Sequence, residues 1–247
     1  MASEPRKAEM VRALVGDSTI TRLFGIGWQL TPLHALMSIS AVVSGPLVTV
    51  SRVSKYIALE GVDGSGKSTV GGALVHSLIS SGSDAILVRE PGGTALGEAV
   101  RGLLLDSDSL DQWAEVFLFA AQRAELAREV IEPALMSGTW VVSDRSYYSS
   151  IAYQGRARGL GEDRVRSINE TGLDGVLPDH VFVLDVDPGL ALDRQDSPDR
   201  IGKEGLDFQS AVRSCYHDLA ESDHKVVLLD GSRSVDDLVA TILGMVR

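Results

Sequence analysis

The sequence predicts an α/β protein, a five-stranded, mostly parallel sheet flanked by helices on both faces. Three observations predict it. Short β-rich apolar runs occur five times, at residues 56–59, 85–88, 139–142, 180–184 and 225–229. Longer stretches of helical period separate them, the arrangement of consecutive βαβ units. The runs are nearly continuous in apolar character rather than alternating, as expected for parallel strands buried on both faces.

The first run leads through Glu60 into G-V-D-G-S-G-K-S-T, residues 61–69. This satisfies G-x-x-x-x-G-K-[ST] with Gly61, Gly66, Lys67 and Ser68, placed between a strand and a helix. Its glycines let backbone N–H groups turn inward around phosphate oxygens. The helix that follows aims its positive dipole end at the same anion. Lys67 is expected to reach the β- and γ-phosphates of a nucleoside triphosphate, and the Ser68 hydroxyl to ligate Mg²⁺. The rest of the loop (Val62, Asp63, Gly64, Ser65 and Thr69) completes the predicted nucleotide-binding segment, and the fold is therefore read as a P-loop NTPase fold.

The second run ends in R-E-P-G-G-T, which puts Arg89 at the carboxyl edge where open α/β sheets bind ligands. In the helical stretch 113–128, Phe119 and Arg123 stand four apart and share a face. A flat ring beside a guanidinium suits base stacking and edge reading; a core Phe with a surface Arg is the plainer alternative. The third run opens into D-R-S-Y-Y-S-S-I-A-Y-Q-G, where Asp144 could hold Mg²⁺ or its water and Arg145 a phosphate. Alternatively, Asp144 caps a helix and Arg145 is solvated. The fourth run leads to the polar segment 193–204, with Arg194, Arg200 and Lys203, read as a phosphoryl-covering lid or an exposed loop.

Composition narrows the function. The 247 residues hold 23 Lys and Arg against 34 Asp and Glu, a net charge of −11. Such acidity excludes a general nucleic-acid coat, which needs a basic footprint. One cysteine, Cys215, excludes an internal disulfide framework and a Cys-based zinc cluster, and suits a reducing, cytoplasmic setting. Residues 1–54 carry net +2, leaving −13 on the remainder. Residues 23–51 lack any Asp, Glu, Lys or Arg, but glycines, prolines and hydroxyl residues interrupt them, so no membrane span is expected. Acids at 4, 9 and 17 spoil a targeting signal's basic head. Residues 1–54 are expected to be a poorly ordered extension or upstream sequence from a misplaced start, with Val53 a possible non-ATG start. N-terminal sequencing that found Met1 or Ala2 would refute the second. A GTPase is disfavoured because the only asparagine, Asn169, is followed by Glu170 rather than by the Lys of a guanine reader.

Taken in order, these segments resemble the thymidylate kinase family of P-loop nucleoside monophosphate kinases. The likeness runs from about residue 55 to the C-terminus. It rests on I-A-L-E-G-V-D-G-S-G-K-S-T, R-E-P-G-G-T-A-L-G-E, L-F-A-A-Q-R-A-E, S-D-R-S-Y-Y-S-S-I-A-Y-Q-G, L-P-D-H-V-F-V-L-D-V-D-P and D-R-I. The resemblance implies transfer of a phosphoryl group from ATP to dTMP, with Mg²⁺ and a homodimer. It implies that Phe119 stacks on thymine, Arg123 reads the base edge, and Arg145 binds the dTMP phosphate with Arg89 nearby. Ser150 joins the acceptor site, and Tyr153 crowds the sugar's 2′ position. Asp63 lies near the sugar hydroxyl and metal, which Ser68 and Asp144 help to hold. Catalysis is then carried by Lys67, Arg145, Asp63, Arg194 and Arg200.

The sequence also departs from the family. Some members carry a basic residue where this loop has Gly64-Ser65, which shifts the expected cation to Arg194 and Arg200. The acid that often follows D-R-I is Gly202, with Glu204 two places on, and the Tyr that often follows D-R is Ser146. A kinase for another nucleotide would lack the Phe119–Arg123 pair or Tyr153. A weakly active binding module would lack Lys67, Asp144 or Arg145.

Overall fold

A computed structural model describes residues 55–107, 109–194 and 200–246. The expectations for residues 1–54 lie outside the described residues. Five strands, β1 (Tyr56–Glu60), β2 (Ala85–Arg89), β3 (Trp140–Asp144), β4 (His180–Asp185) and β5 (Val226–Asp230), form one sheet in the order β2-β3-β1-β4-β5. Every pairing is parallel, so the expected "mostly parallel" sheet is wholly so. Each strand extends past its predicted apolar run onto one polar or charged residue, or two in β3. Backbone pairing continues where side-chain hydrophobicity stops.

Period-two alternation feeds both faces. Ile57 and Leu59 pack with Val70, Leu74 and Leu78 of α1 (Lys67–Ser80) and with Leu238 and Ile242 of α9 (Val235–Val246). Ala58 faces the opposite layer. That layer is built from α2 (Ala95–Asp106), α3 (Gln112–Leu126), α4 (Glu132–Met136), α5 (Tyr147–Ser150), α6 (Glu162–Leu173), α7 (Pro188–Leu192) and α8 (Leu206–Ser222). Thr94 caps α2 by accepting from Gly97 N at 2.9 Å, and Asp111 caps α3 by accepting from Trp113 N and Ala114 N. Among the described residues no helix is long and apolar enough to cross a membrane.

Two wide π-type turns, Ala127–Ile131 after α3 and Ile151–Ala157 after α5, were not legible from helical period. The second carries Tyr153 and Gln154, both of which line a cavity beside the glycine loop. Register then gathers the segments that carry the candidate site residues. Arg89 pairs with Asp144, and Asp144 with Leu59. The glycine loop, the Arg89 segment and the Asp144–Arg145 pair therefore leave the sheet at one edge.

Candidate active site

The glycine loop closes on itself around Lys67. The Lys67 ammonium donates to the carbonyls of Gly61 (3.2 Å) and Val62 (2.8 Å) and to Ser65 Oγ (3.3 Å). Burial, aided by the Arg145 charge, pushes its pKa down to about 8. Gly64, at φ +81°, leaves no alternative residue: a Cβ there would meet the Ala191 carbonyl oxygen at 2.2 Å. A basic side chain at Gly64 would meet that carbonyl. Ser68 and Thr69 are exposed on the first turn of α1. The Ser68 hydroxyl donates to Asp144 Oδ2.

Arg145 stands at φ +76°, a costly conformation for a side-chain-bearing residue and one that clusters at functional sites. It is held there on several sides. Its guanidinium donates to Asp63, to Ser149 Oγ (3.0 Å), to the Gly61 carbonyl (3.3 Å) and to the Tyr153 hydroxyl (3.2 Å). It also lies 4.9 Å from the Tyr153 ring centroid. Burial would raise the Asp63 carboxyl, but Arg145 and Lys67 outweigh it and hold it below the usual carboxylate range.

Beneath this pair lies a carboxylate to which the sequence reading gave no role. Glu60 is fully buried and accepts from Ser146 N and Oγ (both 2.7 Å), Ser149 Oγ (2.6 Å) and the Tyr216 hydroxyl (2.7 Å). Four donors replace the water it lost, as a buried charge requires. Its only sequence signal was an acid at the end of a hydrophobic strand.

A cavity of about 210 Å³ opens beside the loop. Asp63, Ser68, Arg89, Asp144 and Arg145 line it, together with Phe119, Ser150 and Tyr153. Eight residues expected at the site thus share one wall. Glu90, Arg101 and Gln154 join them without having been assigned a role. Arg89 pairs with Glu98 at 2.8 Å in a half-exposed ion pair, which contributes little to stability.

Arg123 does not line the cavity. It is 2% exposed, and its guanidinium donates to Glu90, Asn169, Ser150 Oγ (3.1 Å) and the Ser146 carbonyl (3.2 Å). Arg123 is therefore not on the surface; it stands behind the wall and holds Ser150 and Glu90. Arg200 does not line the cavity either. It donates to Glu115 (2.6 Å) and to the Leu104 carbonyl (3.0 Å), so α2 and α3 hold it. Arg194 is exposed.

The oxygens of Ser68 and Asp144, joined by a hydrogen bond, are hard donors of the kind that bind Mg²⁺ with few protein ligands and several phosphate or water oxygens. Among the described residues no cluster of three His, Cys, Asp or Glu could hold a metal by itself. The donor set thus suits a cation bound together with a nucleotide.

A phosphate loop at the edge of a parallel sheet, opening on a cavity lined by arginines, carboxylates and an aromatic ring, defines a P-loop nucleotide kinase architecture. The family model described as Thymidylate kinase matches residues 59–242. A thymidylate kinase of Thermosipho melanesiensis is 45% identical over 189 residues, 76% of this chain and 94% of the relative. One of Halothermothrix orenii is 46% identical over 199 residues, covering 78% and 96%. A third, of Fervidobacterium nodosum, is 42% identical over 185 residues, covering 74% and 93%. The chain belongs to the thymidylate kinase family.

Proposed function

We propose that this protein transfers the γ-phosphoryl of ATP to dTMP, giving ADP and dTDP, with Mg²⁺ as the metal. The observation that carries the reading is the shared wall, in which Arg145, Arg89 and Phe119 face the same cavity as Ser68 of the phosphate loop. Phosphoryl transfer asks a protein to align two anions and neutralise them; it needs no strong base when the acceptor is an ionised phosphate. The loop, residues 61–69, holds the ATP phosphates, with Lys67 on the transferred group. Ser68 and Asp144, with Asp63 nearby, would hold the metal, which when bound would supply positive charge against the phosphates. Arg145 and Arg89 bind the dTMP phosphate, Phe119 stacks on the base, and Ser150, backed by Arg123, meets its edge. Tyr153, fixed by Arg145, fills the space a 2′-hydroxyl would need. Arg194 supplies a further cation, while Arg200 serves the cavity wall rather than the phosphoryl group.

The reaction is assigned to residues 55–247, in a cytoplasmic homodimer. Exposed Leu96 and Leu103 of α2 and Phe117 of α3 support the dimer, since they put large apolar surface on adjoining helices. A coupled assay with ATP, Mg²⁺ and a panel of nucleoside monophosphates tests the reaction. Preference for dTMP is expected, and turnover favouring another acceptor would refute the reading. Lys67→Ala should cut kcat by roughly a hundredfold or more, the scale of losing one preorganised donor. Phe119→Ala should chiefly raise the KM for dTMP.

A further inference from the structure

On α3 the face that brings Phe119 to the cavity carries Glu115 one turn earlier. The Glu115 carboxylate is completely buried, yet three donors converge on it. Gln154 Nε2 and Arg158 Nε donate to Oε1, each at 2.7 Å, and Arg200 donates to Oε2 at 2.6 Å. Burial alone would raise this carboxyl; hydrogen bonds from Arg158 and Arg200 overcome it and hold the group below the usual carboxylate range. An ionised carboxylate can only accept. A carboxamide has one accepting and one donating end, so opposite Glu115 only the NH₂ end of Gln154 fits. The carbonyl Oε1 is the end left for the cavity that Gln154 lines.

We propose that Glu115 is a positioning residue for acceptor selectivity, locking the Gln154 carboxamide so that it offers the base an acceptor rather than a donor. The inference rests on the reading of this cavity as the dTMP site. Thymine and uracil present an N3–H donor, which such an acceptor satisfies. Cytosine presents a bare N3 lone pair at the same place, which it leaves facing another lone pair. Sites built to pair with a specific polar group reject analogues lacking it far more strongly than apolar contacts do.

The test compares dTMP, dUMP and dCMP as acceptors for the full chain and for Glu115→Gln, which removes the obligate acceptor and lets Gln154 turn over. In the variant, the KM for dTMP and dUMP should rise about tenfold with kcat largely kept, and discrimination against dCMP should fall at least about tenfold. A uniform loss for all three acceptors, with the selectivity ratio unchanged, would mean a purely structural role and overturn the assignment. Should Glu115→Gln fail to fold, Gln154→Met leaves the Glu115–arginine pairs in place and must itself relax the ratio; an unchanged ratio overturns the proposal equally. Absence of dTMP turnover in the unsubstituted protein would instead overturn the reading of the cavity. An active protein whose variants keep their selectivity overturns only the role of Glu115.

Discussion

Lys67 has the shifted pKa with the most direct functional consequence. Burial in its own loop puts it near 8, so at that pH about half the population is neutral. A bound triphosphate favours the charged form and raises this pKa. ATP affinity should therefore be full below pH 8 and fall above it, by up to about tenfold per pH unit until the pKa of the bound form is reached. Calorimetry at pH 8 in two buffers of different ionisation enthalpy should register proton uptake on binding; affinity that stays level from pH 7 to 9 would contradict it. Lys67 was legible because the P-loop spacing names it. Glu60, Glu115 and the burial of Arg123 were not, because charged residues on a helix or strand read as surface until tertiary contacts supply partners. Nothing near Arg123 in sequence announces Glu90 or Asn169, which lie 33 and 46 residues away.

Secondary structure was easier to read than its irregularities. Continuous apolar runs located all five strands, since burial on both faces leaves the same mark on each. The π-turn at Ile151–Ala157 leaves no periodic trace, although it sets where Tyr153 and Gln154 point. The loop-to-α7 contact is similarly invisible, because Gly64 and Ala191 are far apart in the chain. Gly64→Ala combines a φ of +81° with that carbonyl clash, and should cost roughly 1–3 kcal/mol or displace the loop. Thermal denaturation together with ATP titration would detect either outcome; an unchanged Tm and Kd would not fit the contact. Thr94→Ala should cost about 1 kcal/mol through loss of the α2 cap, with a lowered Tm as readout.

At the scale of the molecule, an acidic chain places Arg89, Arg101 and Arg145 on the wall of one cavity, beside Asp63, Glu90 and Asp144. The apolar patch on α2 and α3 predicts that Leu103→Glu combined with Phe117→Glu yields a monomer by sedimentation, while the unsubstituted protein sediments as a dimer; two dimers would argue for a different face. The strand order carries another consequence. β3 lies between β2 and β1 although it follows both in the chain. A ribosome that has released the phosphate loop and Arg89 has therefore made both halves of the site without the strand that joins them. Their hydrogen-bonded partners on β3 arrive some fifty residues after Arg89, at Trp140–Asp144. Until then a nascent chain carries a nucleotide loop whose sheet has a gap. Once β3 inserts, it joins the two earlier strands, brings Asp144 beside Ser68 and sets Arg145 against Asp63, so these contacts form before β4 and β5 are made.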